Sequence, residues 1–198
     1  MKKIIMKEKI KNITYNVLSS NWATLNRIDY DYKFKDGSWK RVSRESYDRG
    51  NGTSILLYNK EKGTVILTKQ FRMPAYANDK HDGLSIEVCA GALDKTESPE
   101  SCIIREVEEE VGYKINRVTK VLEAYTSPGA VTEKMYMFVA EYSDDMKVSK
   151  GGGVDSEDED IEVLEVPFKE AIKMMNNFNI IDAKTIMLLQ YAQINNLL

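Results

Sequence analysis

The chain has 198 residues, of which 42% are hydrophobic and 30% charged. That is an ordinary globular balance, and it excludes a disordered chain. Lys and Arg number 28 against 31 Asp and Glu, for a net charge of -3. The chain therefore lacks the broad basic field of a non-specific nucleic-acid binder, although a few cations or a metal at one site can still hold an anionic ligand. The two cysteines, Cys89 and Cys102, are too few for a disulfide scaffold and point to a reduced, cytoplasmic setting. No apolar run approaches the roughly 20 residues of a membrane span. The basic opening, Met1 to Lys9, has no apolar core behind it, so neither secretion nor membrane insertion is expected.

Along the chain, the first third reads as strand. Residues 13–18 and 22–32 are rich in β-branched and aromatic side chains with partial alternation. Asp36-Gly37 predicts a tight hairpin turn, with the returning strand over residues 39–47. Asn51-Gly52 is a second turn pair. Residues 53–58 and 63–68 then read as a hairpin of more buried strands. The period changes at Ser98, a candidate N-cap followed by Pro99 at the first helical position. Ile103, Ile104, Val107 and Val111 share one helical arc, and Gly112 stops the helix. Strands are expected over 120–125 and 134–140, followed by a polar, glycine-rich and acidic stretch over 143–160. A short strand over 161–166 then leads to a helix starting near Pro167 and a last helix over 182–194. The class is α+β with a mixed sheet.

The informative stretch is Gly91 to Tyr113. Glu106, Glu109 and Glu110 stand at i, i+3 and i+4, which puts them on one helical face. Three like charges there repel, and several close hard oxygens suit Mg2+ or Mn2+. A bare Glu-x-x-Glu-Glu is more often an acidic face turned to water. The spacing of Gly91, Glu97, Arg105, the three carboxylates and Gly112 fills every fixed position of the Nudix box, Gly-x5-Glu-x7-Arg-Glu-U-x-Glu-Glu-x-Gly-U, where U is bulky and apolar. Tyr113 in the last bulky position is the one soft departure.

The sequence therefore resembles the Nudix hydrolases. The resemblance implies an α/β/α sandwich with a mixed sheet and Mg2+-dependent hydrolysis of a nucleoside diphosphate linked to another group. By the same similarity, Glu106 and Glu110 are the principal metal ligands and Glu109 is a further ligand or an orienting neighbour. Glu97 and Arg105 hold loop to helix.

Pro128, in Thr126-Ser127-Pro128-Gly129-Ala130, resembles the branch acting on nucleoside-diphosphate sugars, although a Pro-Gly pair is also simply a turn. Tyr47-Asp48-Arg49-Gly50-Asn51-Gly52, Gln70-Phe71-Arg72, Glu87-Val88-Cys89-Ala90-Gly91, Thr132-Glu133, Gly151-Gly152-Gly153-Val154 and Asp182-Ala183-Lys184-Thr185 extend the resemblance over nearly the whole chain. They look like the bacterial GDP-mannose pyrophosphatases of that branch, which give GMP and mannose 1-phosphate.

That resemblance implies an N-terminal antiparallel β-sheet subdomain over 1–48, exchanged within a homodimer, and a Nudix domain over 49–198. It implies a metal-binding carbonyl at Ala90 and a remote carboxylate, Glu159, that binds metal or activates water. Glu157 competes for that role, because the acidic run is slightly longer than the family pattern. Arg72 would contact the pyrophosphate, with Gly91 and Ala92 alongside. Arg44 and Glu45 would belong to the nucleotide site, Trp22 would stack on the base, and Glu133 and Lys184 would contact substrate. ADP-ribose or another nucleotide sugar is the alternative substrate. A regulatory domain that binds without cleaving is a rival from another class, and RNA cap hydrolysis is disfavoured by the absence of a basic stripe. Lone His81 is given no role, and Cys89 and Cys102 are read as buried small apolar residues.

Overall fold

The computed structural model describes residues 9–79, 82–154 and 159–198. The basic opening before Lys9, His81 and Glu157 lie outside the described residues. The chain divides into two units.

The first unit runs through Gly50 and takes in Ser127–Glu133. Its strands β1 (Ile10–Ser20), β2 (Thr24–Lys33) and β3 (Trp39–Asp48) form an antiparallel three-stranded sheet. Asp36 accepts the Ser38 amide at 2.9 Å and shapes the β2–β3 turn. The Tyr47 amide donates to the Ala130 carbonyl at 2.8 Å, and the Thr132 amide to the Tyr47 carbonyl at 3.0 Å, which ties the 127–133 loop to β3. Trp22, expected within a strand, instead occupies the bend between β1 and β2. Within this chain β1 leaves apolar side chains uncovered: Tyr15 is 67% and Val17 62% exposed.

The second unit, Asn51–Thr126 with Lys134–Leu198, is a mixed sheet between helices. Its strands are β4 (Gly52–Asn59), β5 (Thr64–Phe71), β6 (Leu84–Glu87), β7 (Cys89–Ala92), β8 (Thr119–Tyr125), β9 (Lys134–Glu141) and β10 (Glu162–Pro167). The order is β10-β5-β4-β9-β8, with β4 and β9 parallel. β4 changes partner along one edge. Leu57–Asn59 pair with β5, whereas Gly52–Ile55 pair with β7. β5 diverges to pair with β6 through Thr68–Phe71. The fork brings β6 and β7 between the two diverging strands.

Strand alternation builds a core on each face. Leu56, Leu67, Met137 and Val139 pack with Phe168 of helix α3 (Phe168–Asn176) and Leu188 and Leu189 of α4 (Ala183–Ile194). Ile55, Leu57, Ile66 and Phe138 pack against Ile103, Val107 and Val111 on the other face. The expected helix starts as anticipated. Ser98 Oγ accepts the Ser101 amide at 3.1 Å, and Pro99 opens α2 (Pro99–Glu106). A further short helix, α1 (Met73–Asp79), and the strands β6 and β7 have no counterpart in the periodicity reading. Among the described residues, no helix is long and apolar enough to cross a membrane.

Gly112 ends the helical run in the left-handed region, at φ 75°. A Cβ there would lie 2.5 Å from the Ser149 carbonyl oxygen and 2.7 Å from the Gly151 nitrogen, both backbone atoms that cannot swing aside. Gly112→Ala is therefore expected to cost at least about 1–3 kcal/mol from backbone strain alone. Urea unfolding checks this, and an unchanged midpoint would contradict it.

Candidate active site

The site grows from the end of α2. Beyond Glu106 the helix widens into a π turn over Val107–Val111, and the Gly112 amide reaches back to the Val107 carbonyl. Regular helical spacing expects Glu106, Glu109 and Glu110 on one face. The structure separates them instead. Glu106 and Glu110 turn inward and are buried, and Glu109 stays partly exposed. Arg105 organises the nearer carboxylates. Its guanidinium donates to Glu109, donates to Glu106 at 2.8 Å and lies 3.6 Å from Glu97. Gly91 lies against Glu106 so closely that a Cβ would come 2.0 Å from its Oε1. Only glycine lets that carboxylate pass the β7 backbone.

Glu110 is 2% exposed and takes the Ala90 amide on Oε2 at 3.1 Å. Burial pushes its carboxyl up to about 8. Hydrogen bonds from the Cys89 thiol and the Ala90 amide oppose that rise, and the charges of Glu106 and Glu159 add to it. The same burial and the neighbouring Glu110 charge hold the Cys89 thiol in its neutral form. Glu159 reaches this place from the glycine-rich loop. The Gly152 amide donates to the Glu110 carbonyl at 2.9 Å and the Gly153 amide to the Glu109 carbonyl at 3.2 Å, satisfying two carbonyls at the helix end. The Val154 amide then donates to Glu159 Oε2 at 3.2 Å.

Beside the carboxylates lies a polar network. Arg72 grips Glu87 with two hydrogen bonds, Nε to Oε1 at 3.0 Å and Nη2 to Oε2 at 2.9 Å. Lys184 Nζ donates to Glu87 Oε2 at 2.6 Å and to Asp182 Oδ1 at 3.0 Å. The charge of Glu110 also acts on Arg72. Asp182 caps α4 by accepting the Thr185 amide at 2.9 Å. Ala92, exposed, accepts the Cys102 thiol on its carbonyl at 3.3 Å.

Ala90, Gly91, Glu106, Glu110 and Glu159 are thus brought together in the second unit, with Glu109 turned to Arg105 and with Arg72 and Lys184 gathered on Glu87. Glu87 itself was not selected from the sequence, where it enters only within the Glu87-to-Gly91 stretch of the resemblance. Among the described residues, no three ligating side chains already converge as a cation site. The donor set is nonetheless all hard oxygen, and Glu110 and Glu159 add negative charge beside Glu106, whose carboxylate also takes Arg105, which fits a divalent cation.

The remaining expected residues belong to the first unit. Trp22 is 76% exposed. Its neighbours are Tyr47, with ring centroids 6.4 Å apart, and the Arg49 guanidinium, 5.1 Å from its ring centroid. Arg49 also pairs with Glu133 at 3.4 Å. Arg44 and Glu45 are adjacent on β3, so their side chains leave opposite faces of the sheet. Arg44 donates to the Ser43 carbonyl at 2.7 Å. Arg49 and Tyr47, rather than Arg44 or Glu45, accompany the indole.

The NUDIX domain model matches residues 48–189, and the model of the GDP-mannose pyrophosphatase NudK N-terminal domain matches residues 9–47. A GDP-mannose pyrophosphatase of Yersinia enterocolitica is 53% identical over 98% of this chain and 100% of its own length. Those of Yersinia pestis and Pectobacterium atrosepticum are each 52% identical, over 96% and 94% of this chain and 94% and 95% of their own.

The Glu87 network has an acid signature. Burial alone would raise its carboxyl, but the Arg72 hydrogen bonds and the Lys184 charge bring it from 4.5 down to about 2. A depressed carboxylate binds fewer protons folded than unfolded, so its stabilisation is present above pH 4.5 and is lost as pH falls through about 2. Urea midpoints across that window should fall more steeply for the wild type than for Glu87→Gln. Parallel curves would contradict the ion-pair origin.

Proposed function

This chain belongs to the NUDIX family, and we propose that it hydrolyses the pyrophosphate of GDP-mannose to GMP and mannose 1-phosphate. The near-full-length similarity to GDP-mannose pyrophosphatases supports the substrate. One observation carries the chemistry: the buried Glu110 carboxyl stands with Glu106 and Glu159 beside the Ala90 backbone, a cluster of hard oxygens whose crowded charge a divalent cation would relieve.

NUDIX hydrolases use divalent metal ions, and Mg2+, with Mn2+ as a substitute, fits these oxygens. Glu106, Glu109, Glu110, Glu159 and the Ala90 carbonyl would hold it. When bound, the ion neutralises phosphate oxygens and lowers the pKa of water. Glu159 takes the proton as water's oxygen bonds to phosphorus and the P–O–P bridge breaks, leaving two phosphate monoesters. Arg72 and Lys184 donate to the non-bridging oxygens and hold the diphosphate alike in the ground state and the transition state. Gly91 and Ala92 present backbone to the diphosphate. Trp22 offers an exposed indole face for the base, and Arg44, Glu45 and Glu133 complete the nucleotide-sugar contacts.

We also read the protein as a cytoplasmic homodimer that exchanges its N-terminal sheets, with residues 1–48 as the exchanging subdomain and 49–198 as the catalytic one. The uncovered apolar side chains of β1 support a partner there, and the two buried free thiols suit a reducing compartment. Light scattering should give twice the monomer mass; a monomer at working concentration would defeat this reading.

A competition assay with equal GDP-mannose and ADP-ribose in Mg2+ tests the substrate. GMP and mannose 1-phosphate should appear faster, and a chelator should stop the reaction. Preference for ADP-ribose would overturn the substrate. Glu110→Gln, nearly equal in volume, should lower turnover by about a hundredfold or more while the fold survives. Undiminished turnover with the same metal dependence would remove Glu110 from the site.

A further inference from the structure

We propose that Glu87 is a positioning residue for this reaction. It holds Arg72 and Lys184 together as one preformed clamp for the diphosphate, an inference that rests on the nucleotide-sugar reading above. Arg72 stands at the end of β5 and Lys184 in the first turn of α4, and both cations converge on the one carboxylate at the end of β6. Both oxygens of Glu87 are used. Oε1 takes Arg72 Nε, and Oε2 takes Arg72 Nη2 and Lys184 Nζ within 2.9 Å.

Arg72 is not placed by its own element, and Lys184 has only the capping Asp182 of its own helix besides Glu87. The Arg72 side chain is 42% exposed, and a lysine stem has several freely rotating bonds. Glu87, by contrast, is 3% exposed and fixed by the sheet. A second tie sets the distance between the two elements. The Val88 amide donates to Thr185 Oγ1 at 2.8 Å, and that hydroxyl donates to the capping Asp182 at 2.6 Å. Residues 87 and 88 therefore hold the first turn of α4 by both a charge and a backbone bond.

The clamp keeps capacity for a ligand. A guanidinium has five N–H groups and an ammonium three, more than Glu87 and Asp182 use. Ordering two long side chains before the substrate arrives removes an entropy cost from binding. A glutamine cannot replace the carboxylate. It has one acceptor oxygen, and its amide group would face a cation.

The test compares wild type, Glu87→Gln and Glu87→Asp as full chains below their melting temperatures. Steady-state kinetics use GDP-mannose with Mg2+, and calorimetry measures binding of inorganic pyrophosphate. For Glu87→Gln, KM should rise about tenfold and pyrophosphate affinity fall about tenfold, while kcat changes less than about threefold, a loss of uniform binding. Glu87→Asp, which keeps the charge on a shorter stem, should fall between; if Glu87→Gln does not fold, this variant carries the test. A lower melting temperature with unchanged KM and pyrophosphate affinity would make Glu87 purely structural and overturn the proposal. Tighter pyrophosphate binding would show a competing anion and also overturn it. If the wild type leaves GDP-mannose uncleaved, the function above fails, while the pyrophosphate measurement still decides the role of Glu87.

Discussion

A carboxylate taken out of water is expensive unless something replaces its solvation, and the second unit is arranged around one such group, Glu110. Two protein donors meet it, the Ala90 amide and the Cys89 thiol, both from β7. They do not remove the cost, because Glu106 and Glu159 bring further negative charge close by. The local backbone serves this placement. The π turn swings Glu110 inward, Gly91 leaves room for Glu106, and the glycine-rich loop fastens its amides to the helix-end carbonyls and so delivers Glu159.

Positive charge near these groups is kept in separate compartments. Arg105 is shared among Glu97, Glu106 and Glu109. Arg72 and Lys184 are engaged by Glu87 and Asp182. Long cationic side chains in a low-dielectric site would otherwise be drawn to the nearest uncompensated carboxylate. Engaging each with its own anion would, in the proposed site, leave Glu110 and Glu159 chiefly to a divalent cation and the arginine–lysine pair to the diphosphate.

The sequence was most informative where spacing itself is the chemistry. The box positions from Gly91 to Gly112 have to stand at fixed intervals, because a loop, a helix and a stop must bring carboxylates to one place, and that interval survives in the linear chain. Hydrophobic alternation likewise marked β4, β5 and β9, whose two faces feed two cores. What it did not mark was set by tertiary context. β6 and β7 are four residues each, too short to show a period, and exist because β4 and β5 diverge and leave edges to pair. The π turn depends on where Glu110 finds donors, not on local propensity. Glu87 was hidden for the same reason: only the folded chain brings Arg72 and Lys184 to it. Trp22 reads as strand by composition, yet the bend it occupies is fixed by the β1–β2 register, where Ser20 pairs with Thr24.

The raised carboxyl of Glu110 links stability to function. A carboxylic acid whose folded pKa exceeds its unfolded value binds more protons in the folded state, so raising the pH from 4.5 through about 8 progressively destabilises the fold on account of this group. In the proposed site a divalent cation among Glu106, Glu110 and Glu159 would reverse that, because it would stabilise the ionised form and displace the proton. Near neutral pH the burial of this carboxyl therefore costs stability, which a bound cation would restore. Packing Glu110 against β7 fixes the carboxyl in place, and the same burial would couple the stability of the fold to the ion that the proposed chemistry requires.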